Sequence, residues 1–151
     1  MKWQCVIGMV VQGHRVASGL NRDARFPGGT LAMQRPHFAD RGLDLDGMHS
    51  GTLNLDISPS NFQIVSPRWT FPLVTWHPTE PPETFSFIDA RVTTTSGSSA
   101  EGWVYYPHPE TKPEHFQRPG VVELLMPHLP DVAYGDRLEL WLPVTQMRLL
   151  S

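Results

Sequence analysis

Hydrophobic and polar residues alternate strictly along residues 52–57, directly after a turn signal at residues 49–51. In a strand, the apolar members would point to one side and the oxygen-bearing members to the other. The oxygen-bearing side chains are Thr52, Asn54 and Asp56. Such a face is typical of a half-buried strand beside solvent. It also suits the floor of a site for hydrated Mg²⁺ and phosphates, because hard cations prefer oxygen ligands.

Similar patterns predict further strands, and glycine and proline mark the turns between them. Residues 85–92 and 101–106 flank a tip rich in Thr, Ser and Gly, which predicts a long hairpin. The other predicted strands cover residues 4–17, 52–57, 62–65, 69–76, 121–126 and 138–142. A short helix is expected near residues 31–40. Short strands at regular spacing predict a mainly all-β fold, a small closed six-stranded barrel with one or two short peripheral helices.

The length and composition are typical of one globular domain spanning residues 1–151. Of the 151 residues, 40% are hydrophobic and 18% charged, which is enough for one packed core. Fifteen prolines and twelve glycines disfavour long helices. The single cysteine excludes an internal disulfide framework.

Charge and hydropathy indicate the environment of the chain. The net charge of −3 gives no general attraction to nucleic acid or to an anionic membrane, so neither is expected as a partner. The first apolar run is too short for a signal peptide, and no stretch is long enough to span a bilayer. We therefore expect a soluble, cytoplasmic protein.

A polar loop with small residues and two arginines follows the first predicted strand. Backbone N–H groups and the guanidinium groups of Arg22 and Arg25 could bind an anion there. The alternative is a solvated turn in which the charges of Arg22 and Asp23 offset each other. The loop has no Walker-type glycine–lysine pattern, so the chain is not a P-loop protein.

One carboxylate, Glu123, interrupts the apolar run of residues 121–126. A glutamate in such a run usually lies at a sheet edge or points to solvent. If it faces a cavity instead, its environment perturbs its ionisation and makes it a site candidate.

The seven histidines show no metalloenzyme spacing and are interpreted as polar loop residues, with His49 and His108 expected near any site.

Several short motifs occur in a characteristic order. They are Gly13, the strand end at residues 16–20, Phe26, the run Gly51-Thr52-Leu53-Asn54-Leu55, residues 102–107, Thr111, residues 121–125, Pro127 and residues 135–136. The run from Gly51 to Leu55 is the most specific of them. Taken together, they resemble the archaeal-type CTP-dependent riboflavin kinases, a family built on a cradle-loop β-barrel.

This resemblance implies an activity and a set of site residues. The activity is Mg²⁺-dependent transfer of the terminal phosphate of a nucleoside triphosphate, with CTP favoured, to the 5′-hydroxyl of riboflavin, giving FMN. Thr52 and Asn54 would bind Mg²⁺, Thr111 and Glu123 would contact the flavin, and Glu123 would act as the catalytic base. The nucleotide-binding residues would be Gly19, Leu20, Asn21, Arg22, Asp23, Ala24, Arg25, His128, Leu129, Pro130 and Asp131.

Two alternatives remain open from the sequence. Family loops carry glycines where this chain has Asn21 and Asp23, and the basic residues that often follow the penultimate strand are replaced by residues 128–131. These differences favour a non-catalytic barrel that binds a flavin or a nucleotide. A nucleic-acid-binding barrel is disfavoured by the acidic balance and by the lack of a basic stripe.

Overall fold

The computed structural model describes residues 2–13, 24–26, 28–112 and 118–151. Within these ranges the chain forms nine strands and one helix. In chain order they are β1 Trp3–Val11, α1 Thr30–Asp40, β2 Leu53–Asp56, β3 Asn61–Ile64, β4 Trp69–Val74, β5 Glu83–Thr94, β6 Ser99–Pro107, β7 Val121–Leu125, β8 Arg137–Pro143 and β9 Met147–Leu150. Each predicted strand and the predicted helix is present, with its ends shifted by a few residues. The end of the first predicted strand, residues 14–17, lies outside the described residues.

Six strands close into a ring of antiparallel pairs, which confirms the predicted mainly β fold. The ring runs β5–β6–β7–β2–β1–β8 and returns to β5. One edge of β5 pairs with β6, and the other pairs with β4 along its first half and with β8 along its second half. Because β4 extends the sheet to seven strands beyond the ring, the sheet is not strictly a barrel. Strands β3 and β9 form a separate two-stranded sheet.

The long strand β5 lies between two hydrophobic cores. Ile88 and Val92 belong to an aliphatic core with side chains from β2, β7 and β8. Phe85 and Phe87 point to the opposite face of β5, since successive strand residues alternate. There they pack edge-to-face against Phe38 of α1, with ring centroids 5.0 and 5.1 Å away. No helix in the described ranges is long and apolar enough to cross a membrane.

Strand β9 was not predicted from the sequence, because apolar and polar residues do not alternate along Met147–Leu150. Long-range contacts hold it in place. The side-chain amide of Gln4 on β1 donates to the Met147 carbonyl, and its oxygen accepts a hydrogen bond from the Leu149 N–H at 3.1 Å. Met147 is fully buried in the aliphatic core. Tertiary contacts across nearly the whole chain therefore decide this strand.

Gly102 of β6 lies tightly against the backbone of β7. A Cβ atom at this position would lie 2.0 Å from the Leu125 carbonyl oxygen, so a larger residue requires the backbone to move. We expect Gly102→Ala to lower the free energy of unfolding by about 3 kcal/mol, the upper end of the usual cost of overpacking. Chemical denaturation measures this, with Ser98→Ala in the exposed hairpin tip as a control that changes little. Equal stability of the two variants would contradict the close strand contact.

Candidate functional site

Polar side chains of the adjacent strands β2 and β7 meet within the sheet. The antiparallel register places Asn54 on β2 opposite Glu123 on β7. Both side chains are largely buried, with 8% and 9% of their surface exposed. Thr52, which directly precedes β2, donates a hydrogen bond from its hydroxyl to Glu123 Oε1 at 3.0 Å. We call Thr52, Asn54 and Glu123 the polar cluster.

The larger of two clefts that border the polar cluster has a volume of about 450 Å³. Thr52 and Asn54 form part of its wall, and His128 and Leu129 form another part after β7. The described residues of this wall include no Lys, Arg, Asp or Glu. Its size lies within the range of small-molecule sites, about 300–1,000 Å³. We call it the large cleft.

The second cleft has a volume of about 200 Å³, and we call it the small cleft. Glu123 lines it, whereas Thr52 and Asn54 do not. Its wall also carries two cationic side chains, Lys112 and Arg118. Its aromatic residues are Phe62, Tyr105 and Tyr106. Because Thr52 donates to Glu123, this hydrogen bond joins the walls of the two clefts.

Gly13, just after β1, lies directly against the side chain of Asn54. A Cβ atom at position 13 would lie 2.6 Å from Asn54 Nδ2 and 2.8 Å from Oδ1, so only glycine fits here without displacing the carboxamide. Gly13 also lines the large cleft. The backbone of the chain leaving β1 therefore limits where the Asn54 carboxamide can lie.

Tyr105 is a buried group close to Glu123. Its hydroxyl donates to Gln34 Oε1 of α1 at 2.6 Å. Burial raises the pKa of Tyr105 well above its ordinary value, and the negative charges of Glu123 and Glu83 raise it further. The Tyr105 hydroxyl therefore stays protonated and remains a donor to Gln34.

Glu83 is a second buried carboxyl, at the start of β5. It accepts a hydrogen bond from Trp76 Nε1 at 2.9 Å. Burial raises the pKa of Glu83, while the Trp76 hydrogen bond and the charge of Lys112 act in the opposite direction. A carboxyl whose folded pKa is raised favours folding below its unfolded pKa, and this contribution is lost as pH rises through the folded pKa.

We therefore expect Glu83→Gln, which keeps an acceptor for Trp76, to gain stability over the native protein as pH rises. The difference in Tm between the variant and the native protein should grow between about pH 5 and pH 8. Thermal unfolding at a series of pH values measures it. As a control, Glu101→Gln replaces an exposed carboxylate that pairs with Arg91, and its difference should stay small. A constant difference for Glu83→Gln would contradict the raised pKa.

The structure brings together some of the predicted nucleotide-binding residues. His128 and Leu129 line the large cleft, whereas Pro130 and Asp131 are exposed and do not line it. The remaining loop residues, Gly19, Leu20, Asn21, Arg22 and Asp23, lie outside the described residues.

Ala24 and Arg25 are described, and neither lines either cleft. Arg25 Nη1 contacts Glu80 Oε1 at 2.6 Å. The carbonyl oxygen of Arg25 accepts a hydrogen bond from His77 Nε2 at 2.7 Å. His77 Nδ1 in turn accepts from the N–H groups of Thr79 and Glu80, at 3.2 and 3.1 Å. These contacts hold Arg25 against the loop that precedes β5.

The hydroxyl of Thr111 forms hydrogen bonds with two backbone groups. It donates to the His108 carbonyl at 3.0 Å and accepts from the Thr84 N–H at 2.9 Å. Thr111 does not line the small cleft, but the next residue, Lys112, does. The turn that Thr111 stabilises therefore places Lys112 at the cleft.

Phe62, Lys112 and Arg118 line the small cleft and were not predicted as site residues. For Lys112 the available signal was its position beside Thr111. Phe62 shows no signal that separates it from other strand residues. His49 was expected near the site, and it lies on the wall of the large cleft with its ring 5.4 Å from that of His128.

No known family model matches the chain, and no curated protein shows significant similarity to it. The role of the two clefts must therefore be inferred from their geometry and from the sequence motifs that line them.

Proposed function

We propose that the protein is a phosphotransferase that moves the terminal phosphate of a nucleoside triphosphate, with CTP favoured, to the 5′-hydroxyl of riboflavin, giving FMN. The hydrogen bond between Thr52 and Glu123 is the observation that carries this proposal. Phosphoryl transfer depends mainly on holding donor and acceptor in line and on neutralising charge. Two clefts that meet at one polar cluster suit such a transfer.

The large cleft suits the nucleotide. Its wall contains the predicted metal residues Thr52 and Asn54 and the predicted nucleotide residues His128 and Leu129. Its volume of about 450 Å³ is sufficient for a small-molecule ligand. Residues that are far apart in sequence thus lie in one wall. This supports the assignment of the large cleft to the nucleotide.

The side chains of Thr52 and Asn54 have the right chemistry to hold Mg²⁺. A hydroxyl has one hydrogen to donate and two acceptor lone pairs, so Thr52 can donate to Glu123 and still offer a lone pair to a cation. The carboxamide oxygen of Asn54 is a second neutral ligand. Mg²⁺ usually keeps several waters and binds substrate phosphates in addition to one or two protein groups. When bound, it would offset the charge of the phosphates.

The small cleft suits the acceptor. Its aromatic pair, Phe62 and Tyr106, packs edge-to-face with ring centroids 6.1 Å apart. Its volume of about 200 Å³ fits the ribityl chain better than the whole three-ring system. A ribityl chain that enters this cleft brings its terminal hydroxyl towards Glu123. The carboxylate would bind that hydroxyl and accept its proton.

The test is an assay of FMN formation. The purified protein is incubated with riboflavin, Mg²⁺ and each of CTP, ATP, GTP and UTP, and the flavins are separated by chromatography. We expect FMN to form, fastest with CTP, and to be absent when EDTA removes Mg²⁺. Absence of FMN with all four nucleotides would overturn the proposal.

A non-catalytic flavin- or nucleotide-binding protein is the second candidate. It is favoured by the lack of Lys and Arg among the described residues of the large cleft and by the pairing of Arg25 with Glu80. Binding of riboflavin, followed by quenching of its fluorescence, without formation of FMN would favour this candidate.

A further inference from the structure

Among the described residues that line the two clefts, the positive charge lies on the side of the small cleft. Lys112 and Arg118 line this cleft together with Glu123, whereas the described wall of the large cleft has no Lys or Arg. Under the proposed function, on which this inference rests, the small cleft binds the flavin. A transferred phosphate therefore ends up attached to the ligand of the small cleft.

The two cations differ in their surroundings. The side chain of Arg118 is 70% exposed, and its Nη2 lies 3.7 Å from Asp56 Oδ2. Lys112 is half-buried, and its N–H donates to the His108 carbonyl at 3.1 Å, which fixes its backbone in the turn. Solvent and salt screen an exposed charge much more than a partly buried one. Lys112 is therefore the cation whose charge acts more strongly inside the cleft.

The charge of Lys112 reaches the buried groups behind the cleft. It opposes the rise in the pKa of Glu83, and the charge of Glu123 contributes to that rise. Glu83, Lys112 and Glu123 thus form a mixed-charge cluster next to the cleft. A phosphate placed beside Glu123 without a cation would be repelled by the carboxylate.

We infer that Lys112 binds the phosphate group of the phosphorylated flavin, so that the small cleft holds FMN more tightly than riboflavin. A phosphate monoester carries a charge of about −1.5 to −2 at pH 7, whereas the primary hydroxyl of riboflavin is neutral. Lys112 offsets the repulsion between this phosphate and Glu123. One consequence is that the product leaves slowly and inhibits the enzyme.

Flavin binding tests this inference without turnover. The native protein is titrated with riboflavin and with FMN in low salt, without nucleotide or Mg²⁺, and the quenching of flavin fluorescence gives each Kd. We expect FMN to bind about tenfold or more tightly than riboflavin, as a charge-assisted hydrogen bond to a phosphate allows. The preference should shrink as the salt concentration rises.

Three variants separate the role of Lys112 from a general effect on the cleft. Lys112→Gln should weaken FMN binding about tenfold and leave riboflavin binding within about twofold. Lys112→Arg, which keeps the charge, should retain most of the preference. Arg118→Gln is the matched control, and it should change FMN binding less than about threefold because its charge is exposed and paired.

The outcomes distinguish this inference from the proposed function. If the native protein binds both flavins with equal affinity, or if Lys112→Gln weakens both equally, the role of Lys112 is wrong while the proposed function stands. If the native protein binds neither flavin, the proposed function is overturned, and the role of Lys112 falls with it.

Discussion

Replacement of Glu123 by glutamine is expected to lower the turnover of riboflavin by about 10²- to 10⁴-fold, the usual contribution of a general base. Glutamine has the shape of glutamate and keeps an oxygen that accepts the Thr52 hydrogen bond, so the protein should stay folded. The amide cannot accept the proton of the flavin hydroxyl. The loss should therefore appear mainly in kcat, while KM for riboflavin changes little.

Steady-state kinetics with riboflavin as the varied substrate measure this effect, and circular dichroism checks the fold. Glu101→Gln is a matched control, because Glu101 is an exposed strand residue that lines neither cleft. Its kcat should equal that of the native protein. Normal turnover by Glu123→Gln would show that the carboxylate takes no proton.

Replacement of Asn54 by alanine is expected to abolish Mg²⁺-dependent turnover, with a loss of about 100-fold or more. Groups that only orient a metal ligand contribute about 10- to 100-fold to metal affinity or activity, and Asn54 would be a ligand itself. Thr52 would remain as the other predicted Mg²⁺ ligand in the wall of the large cleft. Initial rates over a range of Mg²⁺ concentrations measure the loss.

Gly13→Ala provides a graded comparison for Asn54→Ala. It keeps the carboxamide but displaces it, since the new Cβ would lie 2.6 Å from Asn54 Nδ2. We expect a smaller loss, part of which is recovered at high Mg²⁺ concentration. Asn54→Ala with normal turnover and an unchanged Mg²⁺ requirement would remove Asn54 from the site.

Local patterns were sufficient to predict most of the fold. The alternation around β2 placed Leu55 and Ile57 in the core, where both are fully buried. The hairpin of β5 and β6 followed from two alternating runs and a polar tip. What the patterns could not show is that the residues of β5 are buried on both faces, because the cover over Phe85 and Phe87 comes from α1, more than forty positions earlier.

The site was predictable where a motif is continuous in sequence. Thr52 and Asn54 come from one specific run, and Glu123 interrupts an apolar one, so each carries a local signal. Their hydrogen bonding and burial depend on the pairing of β2 with β7, and no local pattern predicts this pairing. The same limit applies to Arg25, since its partner Glu80 is 55 positions away in the chain.

Strand β5 contributes residues to both hydrophobic cores, and this affects how the protein unfolds. Ile88, Ala90 and Val92 belong to the aliphatic core, and Phe85 and Phe87 belong to the second core beneath α1, so displacement of β5 opens both cores. Regions that open together form a single cooperative unit in native-state hydrogen exchange. The amide protons of β5 should therefore exchange with solvent only through global unfolding, and they report the stability of the whole fold.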